Sequence, residues 1–361
     1  MFAYWLMFGL LAIGAMFAPA DPQRMRRPAL IVMALLLSLF IGLRFEVGPD
    51  WPGYTNIWDW THVLDFWDVL AGGDPGFFGI IWFLHELEAE FWALNLVCAV
   101  IFMAGLTSFA MRQPNPWLAI AIAFPYLIVV LAMSGVRQAT AIGLFFFALS
   151  AFTERRFIKA TLFLLVAASF HASAILMLGV AALAMTHNRL AGAALVAVTM
   201  LVAYFVLDAD FERYINRYTK QSIQSGGVLF RVAMNLIPAV MYLLWQRKFS
   251  LQPHERSLWR IFAFLSLACL PAFFLIDSTT VLDRFSLYLS PIQVFVFSWL
   301  PYIGSRDFKQ AKFAVGMTLA YLATVMIVFL NFSTHAYAWI PYRSYVFSDV
   351  SEGGGVPRRN R

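Results

Sequence analysis

Arg44, Glu46 and Asp50 stand close together in the run Arg-Phe-Glu-Val-Gly-Pro-Asp-Trp-Pro-Gly-Tyr, which spans Arg44 to Tyr54. A guanidinium offers a planar fork of donors that fits phosphate oxygens, and a carboxylate can take a proton from an attacking hydroxyl. Gly48-Pro49 and Pro52-Gly53 interrupt helix formation, so the run reads as a shaped loop bearing charge and aromatics. Tyr54 closes it as an aromatic wall for a ligand.

Other chemistry-bearing residues recur at the ends of apolar runs. Arg137-Gln138 follows the small-residue break Met133-Ser134-Gly135, where a helix start would add unpaired backbone donors. It fits an anion ligand or a cation snorkelling at a helix end. His171 lies in Ala-Ser-Phe-His-Ala-Ser, inside an apolar stretch from 157 to 186 that is too long for one span and short for two, so a break is expected at the histidine. Its imidazole suits proton acceptance, donation to a phosphate oxygen, or plain helix packing. The stretch 208–227 carries Arg213, Tyr214, Arg217, Tyr218 and Lys220, and Arg231 opens the next apolar run. Tyrosines beside cations suit a sugar phosphate, although a solvated amphipathic helix has the same composition. Asp283-Arg284, with Tyr288 one turn on, stands at another helix mouth. Trp339-Ile340-Pro341-Tyr342-Arg343 reads as an interfacial anchor first and a substrate wall second. A nucleotide-phosphate loop, metal-ligand spacing of His or Cys, and a serine nucleophile elbow are all missing, so neither a metal nor a cofactor is expected.

The elements that must position these groups are membrane helices. Of 361 residues 61% are hydrophobic and only 13% charged, with mean hydropathy +0.72, too little polar surface for a soluble globule of this size. The fold class is all-α, a polytopic membrane protein of about 12 transmembrane helices, within a range of about 10–14 and some of them short or broken. The spans fall near 2–19, 29–44, 91–111, 117–133, 136–152, 157–170, 172–186, 190–207, 228–246, 257–276, 285–303 and 313–332. Phe2 to Phe17 is followed, not preceded, by Arg24, Arg26 and Arg27, the reverse of a cleavable signal, and reads as the first span.

Lys and Arg in alternate linkers, from Arg24 through Arg112, Arg155, Arg189, Arg247 and Lys309, place those linkers in the cytoplasm. Acids are scarce there, so most of the 20 acidic residues lie opposite. The opposite face owns 45–90, 208–227 and 277–284 as outer loops of one membrane domain, 1–332. Residues 333–361 form an aromatic, basic tail outside the functional reading. Within 45–90, tryptophans and phenylalanines alternate with aspartates, which predicts a partly helical, interfacial amphipathic segment. Cys98 and Cys269 lie in apolar runs and indicate neither disulfide nor metal. The net charge of +6 is dispersed between spans, so nucleic acid is not an expected partner. Against the positive-inside trend, Arg44, Arg137, Arg213, Arg217, Arg231 and Arg284 all fall on the outer side, and an anionic ligand would explain them.

The run Gly42-Leu43-Arg44-Phe45-Glu46-Val47-Gly48-Pro49-Asp50-Trp51, then Gly76-Phe77, Val136-Arg137-Gln138-Ala139 and Phe170-His171-Ala172-Ser173-Ala174 recur in this order across most of the chain. This resembles the EpsG family of Wzy-type exopolysaccharide polymerases. Where family members have threonine and tyrosine around the loop aspartate, this chain has Pro49 and Trp51. The resemblance implies a bacterial inner-membrane enzyme that joins oligosaccharide repeat units carried on undecaprenyl diphosphate at the periplasmic face, with lipid diphosphate as leaving group. Arg44, Arg137, Arg231 and Arg284 would lead the arginines on that diphosphate, and Asp50, Glu46 or His171 would accept the proton. The implied partners are the lipid-linked oligosaccharide and membrane lipids, with room for a flippase and a chain-length regulator. A single-sugar transferase on a polyprenyl carrier, a lipid-linked oligosaccharide flippase and a membrane acyltransferase remain alternatives. A flippase would need charges along a path within the spans, whereas here they gather at outer helix ends.

Overall fold

The computed structural model describes residues 1–17, 27–186, 227–275, 279–303, 305 and 307–347, with five positions between 194 and 201. Among them the chain is helical, and the one β-bridge joins Arg44 to Ser344. Six helices are long and apolar enough to cross a membrane: Phe91–Ala110, Val136–Thr153, Val228–Lys248, Pro253–Leu275, Leu282–Ile303 and Lys309–Phe332. Shorter apolar helices cover Phe2–Phe17, Arg27–Gly42, Pro116–Ala132, Phe157–Phe170 and Ala172–Met185. The protein is therefore a polytopic helical membrane protein. The expected span 190–207 lies largely outside the described residues.

The elements in chain order are α1 (Phe2–Phe17), α2 (Arg27–Gly42), α3 (Trp51–Thr61), α4 (Phe66–Leu70), α5 (Pro75–Glu86), α6 (Phe91–Ala110) and α7 (Pro116–Ala123). A π-helical segment, Phe124–Ala132, continues α7. Then come α8 (Val136–Thr153), α9 (Phe157–Phe170), a short 3₁₀ turn Ala172–Ile175, α10 (Leu176–Met185), α11 (Val228–Trp245), α12 (Pro253–Leu275), α13 (Thr279–Leu289), α14 (Pro291–Ile303) and α15 (Phe308–Phe332).

The centre of the bundle is α8, packed between α6 and α9. In a membrane, helices approach through small residues, because lipid tails give no hydrophobic drive between apolar faces. Gly105 on α6 and Gly143 on α8 meet in this way: a Cβ on Gly105 would stand 1.8 Å from the Gly143 carbonyl oxygen, and one on Gly143 would stand 2.4 Å from Phe102 Cα. An aromatic seam seals the other half, where Trp259 of α12 stacks on Phe295 of α14 at 4.1 Å between ring centroids.

The two ends of the bundle differ in charge. At one end Arg112 pairs with Glu154, Arg155 reaches Gln252, and Asn115 donates to the Ala15 carbonyl. Lys159, Arg247, Lys248, Arg256, Arg260, Lys309 and Lys312 also lie toward it, and the acids there are Glu154, Glu255 and Asp307 among the described residues. The other end carries α3 to α5, the 133–135 turn, His171, the mouths of α11 and α13, and the segment 333–347.

Three local expectations meet the structure here. The interruption at Arg44–Tyr54 is shorter than the sequence implies, because Trp51 starts α3 and Pro52 falls in its first turn, where a missing N–H costs nothing. The break at His171 is observed: α9 ends at Phe170, and His171 is extended between it and the 3₁₀ turn. The 45–90 loop is partly helical as expected, forming α3, α4 and α5.

Candidate functional site

Arg137 is the second residue of α8, set there by the Met133-Ser134-Gly135 turn, and one of its Nη atoms donates to Asp74 Oδ2 at 3.0 Å. Its backbone N–H donates to the Tyr54 hydroxyl at 3.4 Å, its guanidinium lies over the Phe77 ring, and its Nε is buried without a partner. The other oxygen of Asp74 accepts from the Ala172 backbone N–H at 3.2 Å, the first donor of the 3₁₀ turn. One carboxylate thus ties α8 to the α9–α10 hairpin while standing just before Pro75 of α5. Asp74 is missing from the sequence-derived site. The signal that could have found it is Gly72-Gly73-Asp74-Pro75-Gly76, a lone acid held in a turn between two helices.

His171 faces the same cluster. Its Nδ1 lies 2.6 Å from Ser173 Oγ. Burial first, then the positive fields of Arg284 and Arg137, push the imidazole well below its usual range, so it is neutral at physiological pH. The Tyr288 ring is fully buried beside Ser173, on α13 one turn beyond Arg284. Gln138 donates to the Arg284 backbone carbonyl at 3.1 Å and so links the mouth of α8 to that of α13.

A second ion pair stands at the neighbouring helix mouths. Arg231, in the first turn of α11, donates through Nε to Asp283 of α13, and the Tyr126 hydroxyl of the π-helical segment is within hydrogen-bonding reach of it. π-helical turns aim side chains that a regular helix would leave on another face, and they are frequent at functional sites.

Asp50 is exposed at the start of α3, where its Oδ2 accepts from Ser134 Oγ at 2.6 Å. Ser134 lies three residues before Arg137, which brings Asp50 beside the cluster. Glu46 is at the rim, half exposed, paired with Arg343 at 2.5 Å and left-handed at φ 50°.

Arg44, expected as a phosphate ligand, lies buried beneath the cluster with backbone carbonyls as its partners. It is 1% exposed, with Nε donating to the Met133 and Val47 carbonyls at 3.0 and 3.2 Å and an Nη to the Ile41 carbonyl at 2.7 Å. Burial pushes its guanidinium down to about 10, still charged at neutral pH. The physical reason is local: α2 ends with unpaired carbonyls, and a cation at a helix C-terminus satisfies them. Arg44 therefore fixes the loop that carries Asp50. Arg213 and Arg217 lie outside the described residues.

The segment after α15 also departs from expectation. Trp339 is 3% exposed rather than interfacial, and its indole N–H donates to the Val129 carbonyl at 2.8 Å. The Tyr4 hydroxyl donates to the Trp339 carbonyl at 2.7 Å, and Tyr342 to the Phe40 carbonyl at 2.8 Å. The Gly48 N–H donates to the Ala338 carbonyl at 2.7 Å, and Phe45 and Tyr345 complete the bridge between Arg44 and Ser344. This strap closes the Arg44–Asp50 loop from outside, and Gly48, at φ 100° with no room for a Cβ beside the Met133 carbonyl, lets the loop lie against the 133–135 turn.

The site thus unites Asp50, Tyr54, Arg137, Gln138, His171, Arg231, Asp283, Arg284 and Tyr288 at one end of the bundle, with Glu46 at the rim and Arg44 beneath. No group of His, Cys, Asp and Glu able to hold a metal occurs among the described residues. Neither the curated proteins nor the solved structures contain a match to the chain. Residues 29–344 match the EpsG family, a stretch that runs from α2 through the site to the strap; the chain belongs to that family, the family of Wzy-like exopolysaccharide polymerases.

Proposed function

We propose that the protein is a polysaccharide polymerase that joins oligosaccharide repeat units carried on undecaprenyl diphosphate, releasing lipid diphosphate. The carrying observation is the gathering of Arg137, Arg231 and Arg284 with Asp50 and His171 at one bundle end, in a chain of the EpsG family. The basic opposite end fits the cytoplasm under the positive-inside rule, which turns the site toward the periplasm of a bacterial inner membrane.

The reaction is a displacement at the anomeric carbon of the growing chain. A sugar hydroxyl of the incoming unit forms the new C–O bond, the bond to the lipid diphosphate breaks, and the pair of electrons leaves with the diphosphate. The hydroxyl proton goes to Asp50, which is exposed and whose second oxygen is held by Ser134. Arginines aimed at the leaving group stabilise its growing charge without reorganising. His171 is a weaker acceptor because burial and the fields of Arg284 and Arg137 lower its basicity, and a bound diphosphate would offset that field.

The test is a purified, membrane-reconstituted assay fed with lipid-linked repeat units and read on a gel. A ladder of products supports polymerase activity. Single additions without a ladder would instead support a one-step glycosyltransferase, and movement of the lipid-linked unit across the bilayer without any product would support a flippase.

A further inference from the structure

The chemistry of His171 is decided by its neighbours. Both of its backbone groups are used inside the fold, the N–H on the Ala167 carbonyl at 3.1 Å and the carbonyl by the Ala174 N–H at 2.9 Å, so only the ring is left to meet a ligand. That ring is neutral and carries one proton, on Nδ1 or on Nε2. Nδ1 lies 2.6 Å from Ser173 Oγ, because the 3₁₀ turn after His171 folds residue 173 back toward it. Beyond Ser173 stands Tyr288, which is 0% exposed; its hydroxyl meets no partner in hydrogen-bonding geometry, and the Ser173 side chain is the one within its reach. We propose that Tyr288 and Ser173 are positioning residues that keep the proton of His171 on Nε2, and that His171 therefore serves as a hydrogen-bond donor to the leaving phosphate oxygen, with Asp50 as the base. This rests on the polymerase reading above and goes beyond it by giving His171 a single role.

The direction of the relay follows from what burial tolerates. A hydroxyl has one proton to give and two lone pairs to receive with. With the proton on Nδ1, the ring would donate to Ser173 and Ser173 to the Tyr288 oxygen, and the phenol O–H would be buried with no acceptor, its ring packed edge-on against Phe145 at 6.0 Å. In the opposite direction the phenol donates to Ser173 and Ser173 to Nδ1, and only spare lone pairs go unused. A buried donor without an acceptor is the costlier defect. The second direction is favoured, and the ring proton is then on Nε2. Asp74 steadies the relay, since it accepts from the Ala172 N–H at 3.2 Å and so fixes the turn that carries Ser173.

An N–H at this place complements the arginines without adding a further buried charge. As the bond from the anomeric carbon to the phosphate oxygen breaks, its electron pair goes to that oxygen and the proton of the attacking hydroxyl goes to Asp50. Nε2 keeps its proton, and its hydrogen bond strengthens as charge grows on the oxygen.

The full-length protein, carrying isotopically labelled histidine in phosphatidylcholine nanodiscs at neutral pH, reports the tautomer by solid-state nitrogen NMR, with His171 identified as the signal missing from His171→Gln. The wild type should show Nδ1 unprotonated and Nε2 protonated, whereas Ser173→Ala and Tyr288→Phe should show a mixture. A protonated Nδ1 in the wild type would overturn the proposal. In the reconstituted polymerisation assay, Ser173→Ala and Tyr288→Phe should each lower kcat by about 3- to 10-fold with KM unchanged, the effect of one neutral hydrogen bond. Glutamine sets an amide N–H near the place of Nε2 but takes up no proton, and asparagine, one methylene shorter, reaches only the place of Nδ1. His171→Gln should therefore stay within about tenfold of the wild-type rate, while His171→Asn should lose about 100- to 1,000-fold, as when one donor to a developing oxyanion is removed. Equal loss in both amides at wild-type thermal stability would overturn the donor role and leave the polymerase reading standing. No product from the wild type would overturn the polymerase reading, and the role of His171 in the displacement with it, whereas the tautomer is decided by the spectrum alone.

Discussion

Replacing Arg44 with methionine separates a loop-fixing arginine from a phosphate ligand. Methionine keeps the length and apolar stem of the side chain but leaves the Ile41, Val47 and Met133 carbonyls without their donor. Each buried acceptor left unpaired costs about 1–3 kcal/mol. Part of that is offset, because a buried guanidinium no longer has to be stripped of water. The net loss expected is about 2–5 kcal/mol, which at roughly 2 °C per kcal/mol for a large domain lowers the unfolding midpoint by about 4–10 °C. Arg44→Lys should recover little, since one ammonium on a flexible stem cannot span three carbonyls on two segments. The assay is thermal unfolding in detergent beside binding of undecaprenyl diphosphate to the folded fraction. Lower stability with retained binding is expected. A variant as stable as the wild type that no longer binds diphosphate would refute the reasoning and return Arg44 to the ligand.

Gly105→Ala would drive a methyl into the Gly143 backbone, so the α6–α8 contact should part and stability fall by about 1–3 kcal/mol or more, measured by the same thermal assay. Asp50→Asn should lower the polymerisation rate by about 100- to 10,000-fold while undecaprenyl diphosphate binding is kept, because proton acceptance is lost and the phosphate donors are not. Ser134→Ala should cost about tenfold or less through a looser Asp50, by the loss of one hydrogen bond to a charged group. His171 is neutral when folded but takes a proton near pH 6.5 when unfolded, so the unfolded state binds more protons below about pH 6.5 and stability falls as the pH drops from there. Unfolding midpoints from pH 7.5 to 5 should show that loss in the wild type and a flatter limb in His171→Gln.

The spans, the break at His171 and the cluster of arginines at helix mouths were legible because each is a local pattern of hydropathy or a cation where a membrane helix begins. Asp74 was not, since its meaning lies in a distance to Arg137 and Ala172 that no spacing encodes. The carbonyl partners of Arg44 are hidden for a related reason: an arginine after an apolar run looks the same whether its fork meets phosphate or three carbonyls. The placement of Trp339 is not legible either, because aromatics after a last span suit an interface as well as an interior, and only the indole of Trp339 on Val129 decides between them. Composition fixed the fold class, whereas the partners of each charge came from tertiary geometry.

The strap from Ala336 to Tyr345 also sets an order of events during synthesis. Tyr4, Phe40 and Arg44 are made early, yet the groups that hold them, Trp339, Tyr342 and Ser344, emerge only after α15. A nascent chain can therefore insert its helices one after another while the loop bearing Asp50 still lacks its outer support. The loop's support is complete only once this segment has been made, and a ribosome product stopped after α15 would sit in the membrane as a bundle without it.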